Sequence, residues 1–351
     1  MGIMDSGHNN KTAASVTLAC LVLYDSSLIL PFSGNYNPFF ATNHLASSDV
    51  NITELKSILK NATMGGNTVI ITTLNDAWAE PDSMFDLLLE SFRIGNQTER
   101  FLKHLVVVTL DQKAYARCIQ LHPHCYNLST NGMDFSGEAY FMAADYLKMM
   151  WRRIDFLRTV LDLGYSFVFT DADIMWFRDP FPKFHKNADF QIACDYFNGN
   201  PSSLRNLPNG GFNYVKSNKK TIKFYNFWYN SRVTYPGLHD QDVFNKIKFN
   251  PFIKKVGLSI RFLDTAYFGG FCQPSKDLNK VCTMHANCCV GLENKVHDLE
   301  IMLGDWRKYT KSVANQMAYR SKGSWTVPQL CRGSFSRKHT PKKDHNQGSE
   351  S

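Results

Sequence analysis

The chain has 351 residues, 44% hydrophobic and 20% charged, an ordinary globular mix that excludes disorder, collagen and coiled coil for its bulk. Its nine cysteines are too sparse for a disulfide-scaffold miniprotein. The formal charge of +8 hints at nucleic acid, but the tail from Arg332 holds five basic residues against Asp344 and Glu350. The remainder is mildly basic, a field that suits anionic ligands and marks no nucleic-acid partner.

Residues 13–32 read AASVTLACLVLYDSSLILPF, long enough to span a bilayer. Asp25 interrupts the run, at a cost of roughly 2.5–3.5 kcal/mol on insertion scales. Its uninterrupted part, Ala13 to Tyr24, is nearer the core of a signal peptide, and a buried core helix reads the same way. No Lys or Arg lies between Lys11 and Lys56. The pattern predicts a cytosolic tail at 1–12, a signal-anchor at 13–32, a stem at 33–65 and a lumenal remainder. Sequons at Asn51, Asn61, Asn96 and Asn127 agree with that side of the membrane. So do the eight cysteines beyond Cys20, an even number whose pairing the sequence leaves open. No C-x-x-C pair supports structural zinc.

Asn51 can cap a short helix through Lys60. Thr68–Thr73, Leu105–Leu110 and Ser166–Thr170 are β-branched or aromatic runs that fit strands buried on both faces. Between them lie helical patterns from Asp82, from about residue 111 to His122, and from Ala139 to Leu163, where Gly164 stops the last. Phe190–Cys194 reads as a further strand. The later half is mixed: helices at Ser217–Tyr229, Gln241–Ile247 and Leu292–Tyr309, and a strand near Leu258–Leu263. The alternation predicts one α/β domain over 66–330, with a Rossmann-like, mostly parallel central sheet and helices on both faces. Residues 331–351 read as a basic tail.

Directly after the third strand comes Asp171-Ala172-Asp173. Ligands of open α/β sheets bind beyond the carboxyl ends of strands. Two carboxylates there can share one divalent cation with a phosphate, and hard oxygens suit Mn²⁺ or Mg²⁺. D-x-D recurs at Asp240 and Asp242, so position rather than pattern carries the signal. The same acids also suit a loop cap.

By the strand-end rule, Thr72, Thr73, Leu74 and Asn75 face the bound ligand, where backbone and a side-chain amide can meet the edge of a base such as uracil. Lys148 and Arg152 are i, i+4 neighbours suited to a diphosphate, whereas Arg153 reads as part of a solvated basic face. Asn209-Gly210-Gly211-Phe212-Asn213 reads as a glycine loop that lets backbone approach a ligand, with Asn213 available to sugar hydroxyls. Trp78, Trp176, Trp228 and Phe268 are aromatic candidates for a sugar-stacking cleft, against a background in which most aromatics are core.

The segment LDLGYSFVFTDADIMWFRDPFP, Leu161 to Pro182, resembles the signature of plant nucleotide-diphospho-sugar transferases in glycosyltransferase family seventy-seven. Six further segments match in order: TVIITTLNDAWA from Thr68, HLVVVTLDQKAYARC from His104, KMMWRRIDFLRTVL from Lys148, NGGFNYV from Asn209, HDQDVFN from His239 and MHANCC from Met284. The relatives include rhamnogalacturonan-II xylosyltransferases and extensin arabinosyltransferases. The resemblance implies a GT-A fold, a nucleotide-sugar donor, usually Mn²⁺, retention at the anomeric carbon and a type II Golgi membrane protein. It implies that Asp173 contacts the metal, that Asp171 touches the ribose or the metal, and that His285 completes the metal site. Ala172, between the acids, falls in the same donor-binding turn. Asp242 could steady the anomeric carbon or orient the acceptor hydroxyl, with Gln241 as its rival.

The resulting expectation is a metal-dependent glycosyltransferase acting on a hydroxyl of a cell-wall glycan or glycoprotein. The alternatives are a metal-dependent phosphohydrolase, which wants a closer cluster of carboxylates, and a non-catalytic lumenal glycan-binding protein.

Overall fold

The computed structural model describes residues 50–128, 130, 135–137, 142–314 and 323–334. The expected tail and anchor at 1–32, and most of the expected stem and basic tail, lie outside these residues. Among the described residues no helix is long and apolar enough to cross a membrane.

The strands are β1 (Thr68–Leu74), β2 (Leu105–Thr109), β3 (Cys125–Asn127), β4 (Ser166–Thr170), β5 (Ile174–Trp176), β6 (Phe190–Tyr196), β7 (Leu207–Val215), β8 (Ile260–Phe262), β9 (Phe268–Gly270) and β10 (Thr283–His285). The central sheet has the order β3-β2-β1-β4-β7-β6-β8, and a small second sheet the order β5-β10-β9. In the central sheet β7 alone runs antiparallel to both neighbours; every other pairing is parallel. This is the expected α/β architecture with a mostly parallel sheet.

The helices are α1 (Ile52–Ala62), α2 (Asp76–Ala79), α3 (Met84–Ile94), α4 (Gln112–Leu121), α5 (Ala144–Asp162), α6 (Lys219–Thr234), α7 (Asp240–Ile247), α8 (Pro251–Val256) and α9 (Leu292–Ala314). Successive side chains of a strand point to opposite faces. Ile70 and Leu74 of β1 therefore join an apolar layer with Phe85, Leu88 and Phe92 of α3 and Leu299, Met302 and Trp306 of α9. Val69 and Ile71 join the opposite layer, with Leu55 and Leu59 of α1, Leu157 and Leu161 of α5, and Tyr225 and Trp228 of α6. Both faces are covered, which is why the strands read as continuous apolar runs rather than alternating ones.

Two boundaries and one element differ from expectation. Helix α1 was expected in a stem, yet Leu55, Leu59 and Ala62 are fully buried, so the packed unit begins by Val50. Cys331, expected in the tail, is buried and bonded to Cys289, so the unit continues past residue 330. Asn209–Asn213 is not a loop but part of β7. Its paired glycines made it read as one. Ile192 pairs with Asn213 and the next residue, Ala193, with Asn209, so Gly210, Gly211 and Phe212 bow away from β6, while Phe212 stays paired with Thr170 of β4. Two further disulfides join Cys118 to Cys125 and Cys272 to Cys288, and Cys194 and Cys282 are buried thiols.

Candidate functional site

A cleft of about 320 Å³ opens at the carboxyl ends of β1 and β4, a size within the usual range for small-molecule sites. Strand β4 ends on Thr170, and the next residues are Asp171, Ala172 and Asp173, all of which line the cleft. Strand β5 begins directly afterwards and pairs antiparallel with β10, placing His285 opposite Ile174. That pairing carries His285 to the acids. Its Nε2 lies 3.1 Å from Asp173 Oδ1 and 4.0 Å from Asp171 Oδ2. One ligand atom from each of the three residues falls within 4.8 Å of the other two.

These residues fit a divalent cation on a specific ground. Asp173 is 1% exposed, and among the described residues its Oδ1 accepts no well-aligned hydrogen bond despite the nearby imidazole. A buried carboxylate oxygen left so is costly unless a further positive partner reaches it. Two carboxylates and an imidazole are a donor set suited to Mn²⁺ or Mg²⁺.

Two cations flank the acids. Lys295, on the second turn of α9, donates from Nζ to Asp173 Oδ2 at 2.6 Å and sits 5.3 Å from the centre of the Trp78 ring. Arg153, from α5, bridges two acids, with Nη1 at 2.9 Å from Asp171 Oδ1 and Nη2 at 2.7 Å from Asp240 Oδ2. Burial opposes ionisation of Asp173, but Lys295 and His285 overcome it and hold the carboxyl well below its usual range. Burial pushes Asp171 up, Arg153 pulls it back, and the charge of Asp173 adds to the rise. For His285 burial acts against the charged ring, and Asp173 more than offsets it.

Close approach of β7 completes the floor. Asp171 N–H donates to Gly211 O at 2.7 Å. A Cβ at Gly211 would lie 2.5 Å from Asp171 Oδ2 and 2.7 Å from His285 Cε1, so only glycine fits there.

Of the residues expected at the donor, Thr73, Leu74, Asn75, Asp171, Ala172, Asp173, Asn209, Gly210 and Gly211 line the cleft, as do His285 and Gln241. Thr72 does not, and its hydroxyl is buried with no partner among the described residues. The Asn75 side chain is engaged locally: its oxygen caps α2 and its nitrogen donates to Phe135 O and Gly137 O.

Lys148 and Arg152 lie off the cleft. Lys148 is half exposed and pairs with Asp145, while Arg152 donates to Thr130 Oγ1 and pairs with Asp155. Arg153, read as solvated, is the arginine in the site, 5% exposed. The face of α5 decides this: Tyr146, Met149, Met150 and Arg153 recur at i, i+3, i+4 and i+7 and line the cleft together. Asn213 is buried, donating to Gly210 O, and is also outside the lining.

On α7 the outcome inverts. Asp242 has a side chain 43% exposed, 3.3 Å from His239 Nε2, and does not line the cleft. Asp240, two residues earlier, is 1% exposed and does. Of the aromatics, Trp78 lines the cleft, whereas Trp176, Trp228 and Phe268 are core.

Lys295, Asp240, Asp195 and Asn287 were missed from the sequence. Lys295 had a readable signal, since it stands in the apolar register of α9, three residues after Leu292 and four before Leu299. Asn287 lies inside the MHANCC segment, two residues after His285, whereas Asp195 falls in none of the matching segments.

A family profile described as nucleotide-diphospho-sugar transferase matches residues 100–299. The uncharacterized protein At4g15970 of Arabidopsis thaliana is 53% identical over 282 residues, covering 79% of this chain and 73% of that one. The uncharacterized protein At1g28695 of the same plant is 37% identical over 336 residues, covering 94% and 97%. Among solved structures, the galactosyltransferase LgtC in complex with donor and acceptor sugar analogs aligns with TM-score 0.41 and 13% identity, over 76% of this chain and 99% of that one. Mouse xyloside xylosyltransferase 1 aligns with TM-score 0.39 and 14% identity, over 63% and 98%. The profile spans the acidic motif, Arg153, the bowed strand and His285, though not the β1 end of the cleft, and the chain belongs to the nucleotide-diphospho-sugar transferase family.

Proposed function

We propose that this chain is a metal-dependent glycosyltransferase of GT-A type. It moves a sugar from a nucleoside diphosphate, read as UDP, to a hydroxyl of a cell-wall glycan or glycoprotein, with retention at the anomeric carbon. The observation that carries this reading is the convergence of Asp171, Asp173 and His285 within 4.8 Å at a strand end, flanked by half-buried Lys295 and buried Arg153.

Asp171, Asp173 and His285 would hold a divalent cation, Mn²⁺ or Mg²⁺, which would supply positive charge for the leaving diphosphate. Lys295 supplies more from the protein itself, since its ammonium is on the cleft wall and can turn from Asp173 to a phosphate oxygen. Arg153 stays with its two acids and holds the Asp171 turn against α7. Gln241, rather than Asp242, is the α7 side chain that faces the donor sugar. Trp78 offers a flat face beside Leu74 and Asn75. The three disulfides suit an oxidising lumen, and with the N-terminal apolar segment they support a type II protein of the Golgi.

The test is release of UDP from a panel of UDP-sugars with Mn²⁺ present. Activity abolished by chelation and by Asp173→Ala supports the reading. Release of inorganic phosphate instead, or intact glycan binding without turnover, overturns it.

A further inference from the structure

Asp195 belongs to none of the sequence motifs, yet three side-chain amides converge on it. Asn209 accepts the N–H of Gly211 through Oδ1 at 2.9 Å and donates Nδ2 to Asp195 Oδ1 at 2.8 Å. Gln241 accepts the N–H of Gly210 through Oε1 at 2.9 Å and donates Nε2 to Asp195 Oδ2 at 3.0 Å. Asn287 accepts the N–H of Cys272 through Oδ1 at 3.1 Å and donates Nδ2 to Asp195 Oδ1 at 2.8 Å. The pattern repeats three times: each amide oxygen takes a backbone donor, and each amide nitrogen meets the same carboxylate.

The chemistry forces these orientations. A backbone N–H only donates and a carboxylate only accepts, so flipping any of the amides would set donor against donor at one end and acceptor against acceptor at the other. Asp195 thereby ties together β7, α7 and the segment after β10, three walls of the cleft. It reaches them because it is the extra residue of a bulge. Cys194 pairs with Pro208 and Tyr196 with Leu207, which leaves Asp195 without a ladder partner and free to point inward.

We propose that Asp195 is a positioning residue for sugar transfer, acting through Gln241, whose amide it fixes in one orientation toward the donor sugar. This rests on the transferase reading. Replacement by Asn isolates the effect. In Asp195→Asn, Oδ1 still serves Asn209 and Asn287, but the atom facing Gln241 becomes an N–H donor. Gln241 then satisfies either position 195 or Gly210, never both.

The experiment measures UDP release and UDP affinity for wild type, Asp195→Asn, Gln241→Leu and the double variant, together with thermal midpoints. Asp195→Asn is expected to lower kcat about tenfold or more, a size within the range of measured side-chain couplings, with UDP affinity unchanged and a thermal midpoint no lower than that of Gln241→Leu. In the Gln241→Leu background the same substitution is expected to cost nothing further. An unchanged kcat overturns the inference. So does a loss shared by UDP affinity and thermal midpoint, which marks a structural role, and so does an equal cost in both backgrounds. Wild-type protein that releases no UDP from any UDP-sugar overturns the transferase reading itself, whereas wild-type turnover with an unaffected Asp195→Asn overturns this inference alone.

Discussion

Arg153 and Asp240 stand 87 residues apart in the chain and 2.7 Å apart in space, both almost fully buried. With its other nitrogen Arg153 holds Asp171, so one guanidinium couples the acidic turn after β4 to the start of α7. The ring of Phe169 lies 4.8 Å beneath it.

Removing one partner of such a pair strands a buried charge. Asp240→Asn is expected to lower unfolding stability by about 3 kcal/mol, at the low end for buried pairs because Asp171 still partners the arginine. The effect depends on pH. Burial would raise the Asp240 pKa, but Arg153 and His239 bring it down to about 2. The folded value thus lies below the unfolded value of about 3.9. The contribution of Asp240 is therefore complete above that value and disappears as pH falls toward 2. Chemical denaturation from pH 2 to 7 checks this, and an unaltered acid limb in Asp240→Asn would contradict it.

Gly211→Ala places a methyl group against Asp171 Oδ2 and His285 Cε1. The neighbours are the acidic turn and the imidazole themselves, so strain falls on the proposed metal ligands. We expect a stability loss of about 1–3 kcal/mol, typical of overpacking, and a larger effect on Mn²⁺ affinity, read by calorimetry. Wild-type Mn²⁺ affinity in the variant would show that the turn can yield.

Lys295→Met keeps the length of the side chain and its packing near Trp78 while removing the charge. If Lys295 serves the leaving diphosphate, kcat falls about 10²–10³-fold, as for loss of one preorganised donor. Mn²⁺ affinity should not weaken, because Asp173 loses a competing cation. A variant with weakened Mn²⁺ binding and unchanged kcat would instead make Lys295 a support for Asp173.

The strands and the acidic turn were legible because their signals are local. Continuous apolar runs mark β1, β2 and β4, and the turn follows β4 without a gap. Strands β5, β9 and β10, three residues each, gave no such run, and it is their pairing that delivers His285. The choice between Arg152 and Arg153 turned on which face of α5 meets the cleft. Spacing alone pairs Lys148 with Arg152, and only the apolar companions Met149 and Met150 point to Arg153.

Sequence by itself thus determined the α/β class, the three central strands and the place of Asp171 and Asp173, since each depends on periodicity within a few residues. Tertiary structure alone decided that Asp240 rather than Asp242 faces inward, that Lys295 meets Asp173 across 122 positions, and that Asp195 gathers three amides. Those contacts depend on sheet order, a bulge and the rotation of helices against the sheet, which arise from packing the whole chain; the register of α9 turns Lys295 inward, but no short stretch names its partner.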